Sequence, residues 1–320
     1  MGGGTWIYLG HFDFEKGKNA SGRVVLTNRT NRGGESVTAD AMKIGGGRGN
    51  IARGVTADKK ATANVRSSSA DEEEDAPTTP YPSEISGYPR FTEAARYWMQ
   101  WAGVPDTIYT PSEGKNDYTD DYRGRGKWVN FLAGGTSVNP DEPGLGIPID
   151  LALAFHSDAG TTTNDSTMIG TLGIYCTDVY DGVYTDGTSR YAARDLTDII
   201  QSTIVHDVRT LYEPRWRRRA MWNKPYSEAR TPRVPTMLLE LLSHQNFADM
   251  RYGLDPRFRF TVSRAIYKGM LQFLCSQYGT EYVVQPLPVD HMVLRMTGED
   301  EVELSWQPVD DTLEPTAKAE

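Results

Sequence analysis

The stretch from Pro235 to Asn246, Pro-Thr-Met-Leu-Leu-Glu-Leu-Leu-Ser-His-Gln-Asn, places the tightest constraint on what this chain can fold into. Its apolar residues run on without alternation, the pattern of a central strand covered on both faces. Such a strand tolerates a carboxylate badly, because a buried charge without a partner is costly. Glu240 therefore needs a partner or a task. In open α/β sheets, sites gather at the carboxyl ends of strands like this one. Glu240 is thus a candidate catalytic carboxylate; a strand-end Glu paired with a neighbouring Arg is the structural alternative.

A second buried-strand pattern, Ile149-Asp-Leu-Ala-Leu-Ala-Phe, runs into His156-Ser-Asp-Ala-Gly. An imidazole at the end of a buried strand, followed by small and polar residues, fits a ligand position. A lone His is also a common structural hydrogen bonder, but its placement matches that of Glu240. Thr171-Leu-Gly-Ile-Tyr-Cys-Thr reads as a third strand. Ser189 can cap a helix reaching about Tyr212, with Leu196, Ile199, Ile200, Ile204, Val208 and Leu211 at helical spacing. Thr261–Tyr278 is amphipathic, and Gly279 can end it. Strand, helix, strand and helix between 149 and 278 spell an α/β layer fold.

Upstream, residues 90–103 read as a helix that Gly103 stops, followed by a short strand at Thr107–Thr110. Residues 112–126 are polar and read as a loop; their aspartates lack the spacing of an EF-hand calcium loop. Lys127-Trp-Val-Asn-Phe-Leu begins a short helix or strand. Residues 54–88 hold the block Asp71-Glu-Glu-Glu-Asp and three prolines without apolar periodicity, a solvated linker. Residues 5–48 contain short strand patterns, among them Arg23-Val-Val-Leu-Thr. Val289–Met296 and Glu301–Val309 alternate as two antiparallel strands.

A net charge of −9 argues against general nucleic-acid binding, which calls for a basic face. No run of about 18 apolar residues is present to span a membrane, and Met1-Gly-Gly-Gly-Thr-Trp is no signal peptide. Cys176 and Cys275, each inside an apolar segment, read as two buried thiols, with one disulfide as the alternative.

Four motifs in order carry a resemblance. Phe155-His-Ser-Asp-Ala-Gly resembles the Ser-x-His-x-Asn-Ala strand end of zinc-dependent N-acetylmuramoyl-L-alanine amidases. Ser189-Arg-Tyr-Ala resembles the start of their next helix. Pro235-Thr-Met-Leu-Leu-Glu-Leu-Leu-Ser-His-Gln-Asn-Phe-Ala-Asp resembles their Pro-x-x-Leu-x-Glu-x-x-Phe-x-Ser-Asn-x-x-Asp, and Asp255–Gly269 resembles the helix that follows. Trp6–Gly17 with Val37-Thr-Ala-Asp-Ala-Met-Lys-Ile resembles the second half of a golvesin-type carbohydrate-binding β-sandwich. Leu304-Ser-Trp-Gln-Pro resembles the opening strands of a fibronectin type III domain. The combination is similar to secreted Bacteroidetes proteins described as xanthan lyases.

The resemblance implies a three-layer, amidase-like α/β domain with a mostly parallel sheet at 89–283. It would follow a partial β-sandwich (1–53) and the linker (54–88), and precede the start of a fibronectin-like domain (284–320). It also implies zinc, with His156 as one ligand and Glu240 as the catalytic carboxylate that moves protons between water and the leaving amine. The family's other His and Glu ligands have no matching pattern here. Glu84 and Glu93 are weakly placed, so the chain reads as a fragment that binds zinc poorly alone. Asp158, His244 and Arg190 are candidates to touch substrate or to steady the ligands, while Arg215 and Arg217–Arg219 could meet anionic glycan. The implied partner is peptidoglycan or another glycan–peptide polymer, outside the cell, in the periplasm or at the cell surface. A non-catalytic carbohydrate-binding or scaffold protein is the alternative reading, and a polysaccharide lyase the second alternative.

Overall fold

In the computed structural model, residues 23–27, 29, 90–92, 94–113, 115–164 and 166–314 are described. Most of the expected β-sandwich and all of the linker at 54–88 lie outside them. Arg23–Thr27, expected as a strand, carries no regular structure, and Val24, Val25 and Leu26 are exposed.

The chain divides into two units, Met1–Trp128 and Val129–Glu320. In the first, α1 (Ala95–Ala102) ends where Gly103 adopts φ +79° and its N–H donates to the Gln100 carbonyl. Only a residue without a Cβ takes that conformation at no steric cost. Two expectations fail here. Thr107–Thr110 is not a strand; α2 (Asp106–Tyr109) occupies it. The polar stretch 112–126 is mostly helix: α3 spans Asp117–Ala133. Asn116 Oδ1 accepts the Thr119 N–H at its start, and Asp120, fully buried, accepts from Arg96 Nη1 at 3.0 Å. Asp120 and Asp121, read as part of a solvated loop, are ion-pair partners, Asp121 with Arg125 one turn on.

The second unit is built on a four-stranded sheet in the order β1-β4-β2-β3, formed by β1 (Ala152–Asp158), β2 (Leu172–Tyr175), β3 (Trp222–Asn223) and β4 (Thr236–Ser243). The pairs β1–β4 and β2–β3 are parallel, whereas β2–β4 is antiparallel, so the sheet is mostly parallel. Two long helices, α4 (Tyr191–Leu211) and α7 (Pro256–Tyr278), cover one face. Leu196, Ile200, Ile204 and Val208 of α4 pack with Val262, Ala265 and Phe273 of α7 and with Met237, Leu239 and Leu241 of β4. Burying an aliphatic side chain contributes about 1.5–3 kcal/mol, so this layer is the main source of the unit's stability. The N-cap of α4 is Arg190 rather than Ser189 and makes no side-chain cap; Ser189 Oγ, one residue further out, accepts the Tyr191 N–H. The second long helix begins five residues earlier than expected, because Asp255 is its N-cap, accepting the Arg257 N–H, and Pro256 suits the first turn.

The opposite sheet face carries a smaller cluster of Leu172, Ile174, Leu238 and Ala154. Near it sits the one-turn helix α5 (Ser227–Arg230). After β4, Asp249 in α6 (Phe247–Gly253) is fully buried and accepts the N–H groups of Ile169, Gly170 and Ser243. That carboxylate ties the loop before β2 to the end of β4. Cys176 and Cys275 are free and buried.

Beyond α7, β5 (Asp290–Met296) and β6 (Val302–Gln307) pair antiparallel, as their alternation predicts. Arg264 of α7 holds both ends of this hairpin, donating to the Gln285 carbonyl and to the Asp311 carboxylate. Burial opposes ionisation of Asp311, but its bonds to the Leu313 N–H and to Arg264 outweigh that and hold its carboxyl below the usual range. No helix among the described residues is long and apolar enough to cross a membrane.

Candidate active site

Every residue of β4 from Thr236 to Ser243 is buried except Glu240, which is half-buried. The strand runs three residues past that carboxylate rather than ending at it. His156 likewise lies inside β1, two residues from its end. In the parallel β1–β4 ladder His156 is the register partner of Glu240. Partners in a ladder project to the same side of the sheet from backbones about 4.8 Å apart. The imidazole and the carboxylate, separated by more than eighty residues in sequence, therefore share one sheet face. The register supports this assignment: Ala154 pairs with Leu238 two residues earlier, and both belong to the smaller cluster on that face. The antiparallel partner of Glu240 on its other side is Leu172.

A third group completes the arrangement, and sequence reasoning missed it. His156 Nε2 stands 3.1 Å from Oε1 and 3.1 Å from Oε2 of Glu228 in α5. The two side chains are 27% and 14% exposed, so the contact is largely screened from solvent. Nothing in Tyr226-Ser-Glu-Ala-Arg flags it, because a one-turn helix is too short to show a period.

Arg190 keeps α5 in place. It is fully buried and pairs with no carboxylate among the described residues. Its Nη2 donates to the carbonyls of Ala229 (3.3 Å) and Arg230 (3.0 Å), the last residues of α5, and its Nε donates to the Cys176 carbonyl just past β2. The guanidinium also lies 4.5 Å from the centre of the Tyr184 ring. The C-terminal carbonyls of a short helix have no intrahelical donors, and here an arginine supplies them. Burial pushes the Tyr184 phenol up to about 12, against the opposing pull of the Arg190 charge. Asn130 Nδ2 donates to the Thr231 carbonyl and its Oδ1 accepts the Arg233 N–H, fixing the chain between α5 and β4.

The other candidates lie elsewhere. Asp158 does not meet the His156 ring: its Oδ1 accepts the Ala159 and Gly160 N–H groups, and its Oδ2 accepts from Arg219 Nη1 at 2.5 Å. Burial works against its ionisation, but Arg219 and the two backbone donors outweigh that and hold the carboxyl below its ordinary value. His244 is exposed and hydrogen-bonds Ser157 Oγ through Nδ1 at 3.1 Å. Arg218 pairs with Asp198, Arg215 with Glu213 and Arg219 with Asp158, so three of the four clustered arginines are occupied within the chain.

Among the described residues, no group of three or more His, Cys, Asp or Glu side chains could hold a metal ion. A cavity of about 170 Å³ lies between the start of α7 and the C-terminal segment, lined by Asp207, Phe260, Arg264 and Asp311 among others. None of its lining residues is His156, Glu228 or Glu240, and the chemistry assigns the site to the sheet face rather than to this cavity.

No protein-family model matches the chain, and neither does any curated protein. Similar solved structures include the N-acetylmuramoyl-L-alanine amidase from Clostridium difficile 630, at 18% identity and a TM-score of 0.35 over 49% of this chain and 67% of that one. Amidase AmiC2 of Nostoc punctiforme aligns at 16% identity with a TM-score of 0.30, over 39% of this chain and 57% of its own. The CwlD amidase of Clostridioides difficile, solved in complex with the GerS lipoprotein, aligns at 15% identity with a TM-score of 0.37, over 58% of this chain and 83% of its own. The chain thus spans little more than half of one of these amidases and about two thirds of another. Overlaps this partial leave the functional argument to the residues of the site.

Proposed function

We propose that the chain hydrolyses an amide in a cell-wall glycan–peptide polymer, with Glu240 as the group that moves protons. The observation that supports this reading is the ladder pairing of His156 with Glu240 on one sheet face. A half-buried carboxylate in an otherwise buried strand is placed to take a proton from an attacking water and return it to the departing amine. The four ordered motifs that resemble N-acetylmuramoyl-L-alanine amidases assign the same two residues. On this reading the protein works on peptidoglycan outside the cell, in the periplasm or at the cell surface.

Zinc is the metal the resemblance implies. A catalytic zinc takes three protein ligands, and the described residues alone do not provide such a set. A zinc held through His156 would need ligands from outside them, and no step above is routed through the metal. The second reading is a glycan-binding scaffold that keeps the α/β unit without the reaction. The lyase reading has no comparable support, since no proton-abstracting set around a uronate stands out.

The test is incubation with purified muropeptides, with and without added zinc, and measurement of released amino groups. Glu240→Gln is expected to lose at least about 100-fold of the activity. Full activity in Glu240→Gln would remove the hydrolase reading. Binding of the polymer without cleavage by the parent chain would favour the scaffold. An unsaturated product absorbing in the ultraviolet would point to a lyase.

A further inference from the structure

We propose that Trp222 is a stacking platform for the glycan strand of the substrate, at the edge of the sheet face that carries His156 and Glu240. Its use in catalysis rests on the hydrolase reading above; its affinity for sugar does not.

The register places the indole. Trp222 in β3 is the parallel partner of Ile174 in β2, and Ile174 in turn pairs with Leu238 of β4, two residues before Glu240. Ile174 and Leu238 belong to the smaller cluster on the face of His156 and Glu240. Ladder partners project to the same side of a sheet, so Trp222 shares that face, one row along from Glu240. Two strand spacings separate β3 from β4, roughly 10 Å.

The side chain is held and yet open. The Arg219 guanidinium lies over its ring, 5.4 Å from the centre, where the negative face of an indole attracts a cation. Nη1 of the same guanidinium donates to Asp158 Oδ2, two residues beyond His156 in β1. Arg219 therefore ties the indole to the end of the strand that carries the imidazole. Both members of the ion pair are largely screened from solvent, which makes the guanidinium a fixed support. It covers one face of the ring only, and Trp222 remains 40% exposed. Trp216 shows the contrast: it is completely buried in the main core, and its Nε1 donates to Thr171 Oγ1. Trp222 stands on a two-residue edge strand and belongs to neither apolar cluster.

An exposed, oriented indole fits a pyranose. The flat side of a β-linked aminosugar presents C–H bonds whose positive ends meet the negative ring face, while its hydroxyl and acetamido groups stay in water. Arg219 spends its charge on Asp158, so the ring is backed by a neutral pair rather than by a cation that would select an anion. The net charge of −9 counts against a nucleic-acid base as the stacked ring. The spacing from β4 exceeds the length of one pyranose. The stacked ring is therefore a neighbour of the sugar that carries the scissile amide, not that sugar itself.

The test uses the full chain and a β-linked N-acetylglucosamine tetrasaccharide, which carries no peptide. In protein labelled with ¹⁵N at tryptophan, the Trp222 indole signal, assigned by its loss in Trp222→Phe, is expected to shift on titration. Calorimetry should show affinity falling about 10-fold in Trp222→Ala and mostly recovered in Trp222→Phe, which keeps a flat ring. Trp222→Ala should also raise KM about 10-fold for a muramoyl peptide carried on a tetrasaccharide, with kcat little changed. A single-sugar muramoyl peptide should be cleaved by it as by the parent. A tetrasaccharide that does not bind, that leaves the Trp222 signal unmoved, or that binds Trp222→Ala as tightly as the parent would overturn the platform. So would a shift produced by the free stem peptide instead. If the sugar binds through Trp222 and no amide is cleaved, the platform stands and only the hydrolase reading fails. Equal effects of Trp222→Ala on the short and long substrates would sink the platform and leave the hydrolase reading intact.

Discussion

Arg190 offers the sharpest test of how the site is supported. It is fully buried and donates to three carbonyls, two of them at the end of α5. Each hydrogen bond from a charged donor is worth about 1.5–3 kcal/mol. Against these stands the cost of taking the guanidinium out of water with no carboxylate beside it, several kcal/mol. Arg190→Met removes the bonds and the buried charge together, and the net loss is expected at about 2–4 kcal/mol. Arg190→Lys is the more telling change. The ammonium keeps a charge in the same enclosure but cannot reach Cys176 and both α5 carbonyls at once, because it lacks the planar fork. Lysine should therefore destabilise at least as much as methionine, although it preserves charge. Urea unfolding of both variants, followed by circular dichroism, measures the order. Amide hydrogen exchange locates the damage, with faster exchange expected at residues 229–231, where α5 hands over to the next segment. A lysine variant within about 0.5 kcal/mol of the parent, smaller than any one of the bonds at stake, would refute the clamp, as would unchanged exchange in that segment.

Asp158 has a lowered folded-state pKa, so its contribution to stability is present above the unfolded value of 3.8 and is lost as pH falls through the lower folded value. Arg219→Met should flatten that acid limb in thermal melts taken across the same range, and a limb of unchanged steepness would count against the pair. A Cβ at Gly269 would come 2.8 Å from Ile200 Cα and 2.9 Å from its Cγ1, so Gly269→Ala is expected to cost about 1–3 kcal/mol in the α4–α7 contact, despite the better helix propensity of alanine. Lys268 and Asp207 pair at 2.8 Å with side chains only 1% and 2% exposed. Lys268→Met alone should cost about 3–5 kcal/mol by leaving the carboxylate buried, and adding Asp207→Leu should restore most of the loss. A double variant no better than the single would show that the pair is not what holds this region.

The residues that were legible in the sequence share one property: their signal is local. The buried run around Glu240, the periods of the two long helices and the alternation of the final hairpin each depend on neighbours along the chain, and each element is present, although α7 starts five residues before its pattern and β4 runs three residues past Glu240. What was misread depends on partners far off. The aspartates at 120 and 121 looked solvated because the arginine that buries Asp120 lies 24 residues earlier. Thr107–Thr110 looked extended because Thr and Ile favour strands, a weak preference that one turn of helix overrides.

The candidate site divides along the same line. His156 and Glu240 were visible because each interrupts an apolar strand, and a polar residue in such a place must have a reason. Their register was not visible, since nothing local says that β1 lies beside β4 rather than beside β2. Glu228 interrupts nothing. It sits in a polar segment, where a carboxylate needs no explanation, and acquires its importance only from the imidazole brought to it by folding. The support is arranged in the same non-local way: an arginine at the start of α4 closes the end of α5, and α5 presents the carboxylate to β1. The strands bring the reacting pair onto one face, while the loops and the one-turn helix between them set the orientation. Variants at Glu240 should therefore act on chemistry alone, whereas variants at Arg190 and Glu228 should change the geometry in which that chemistry occurs.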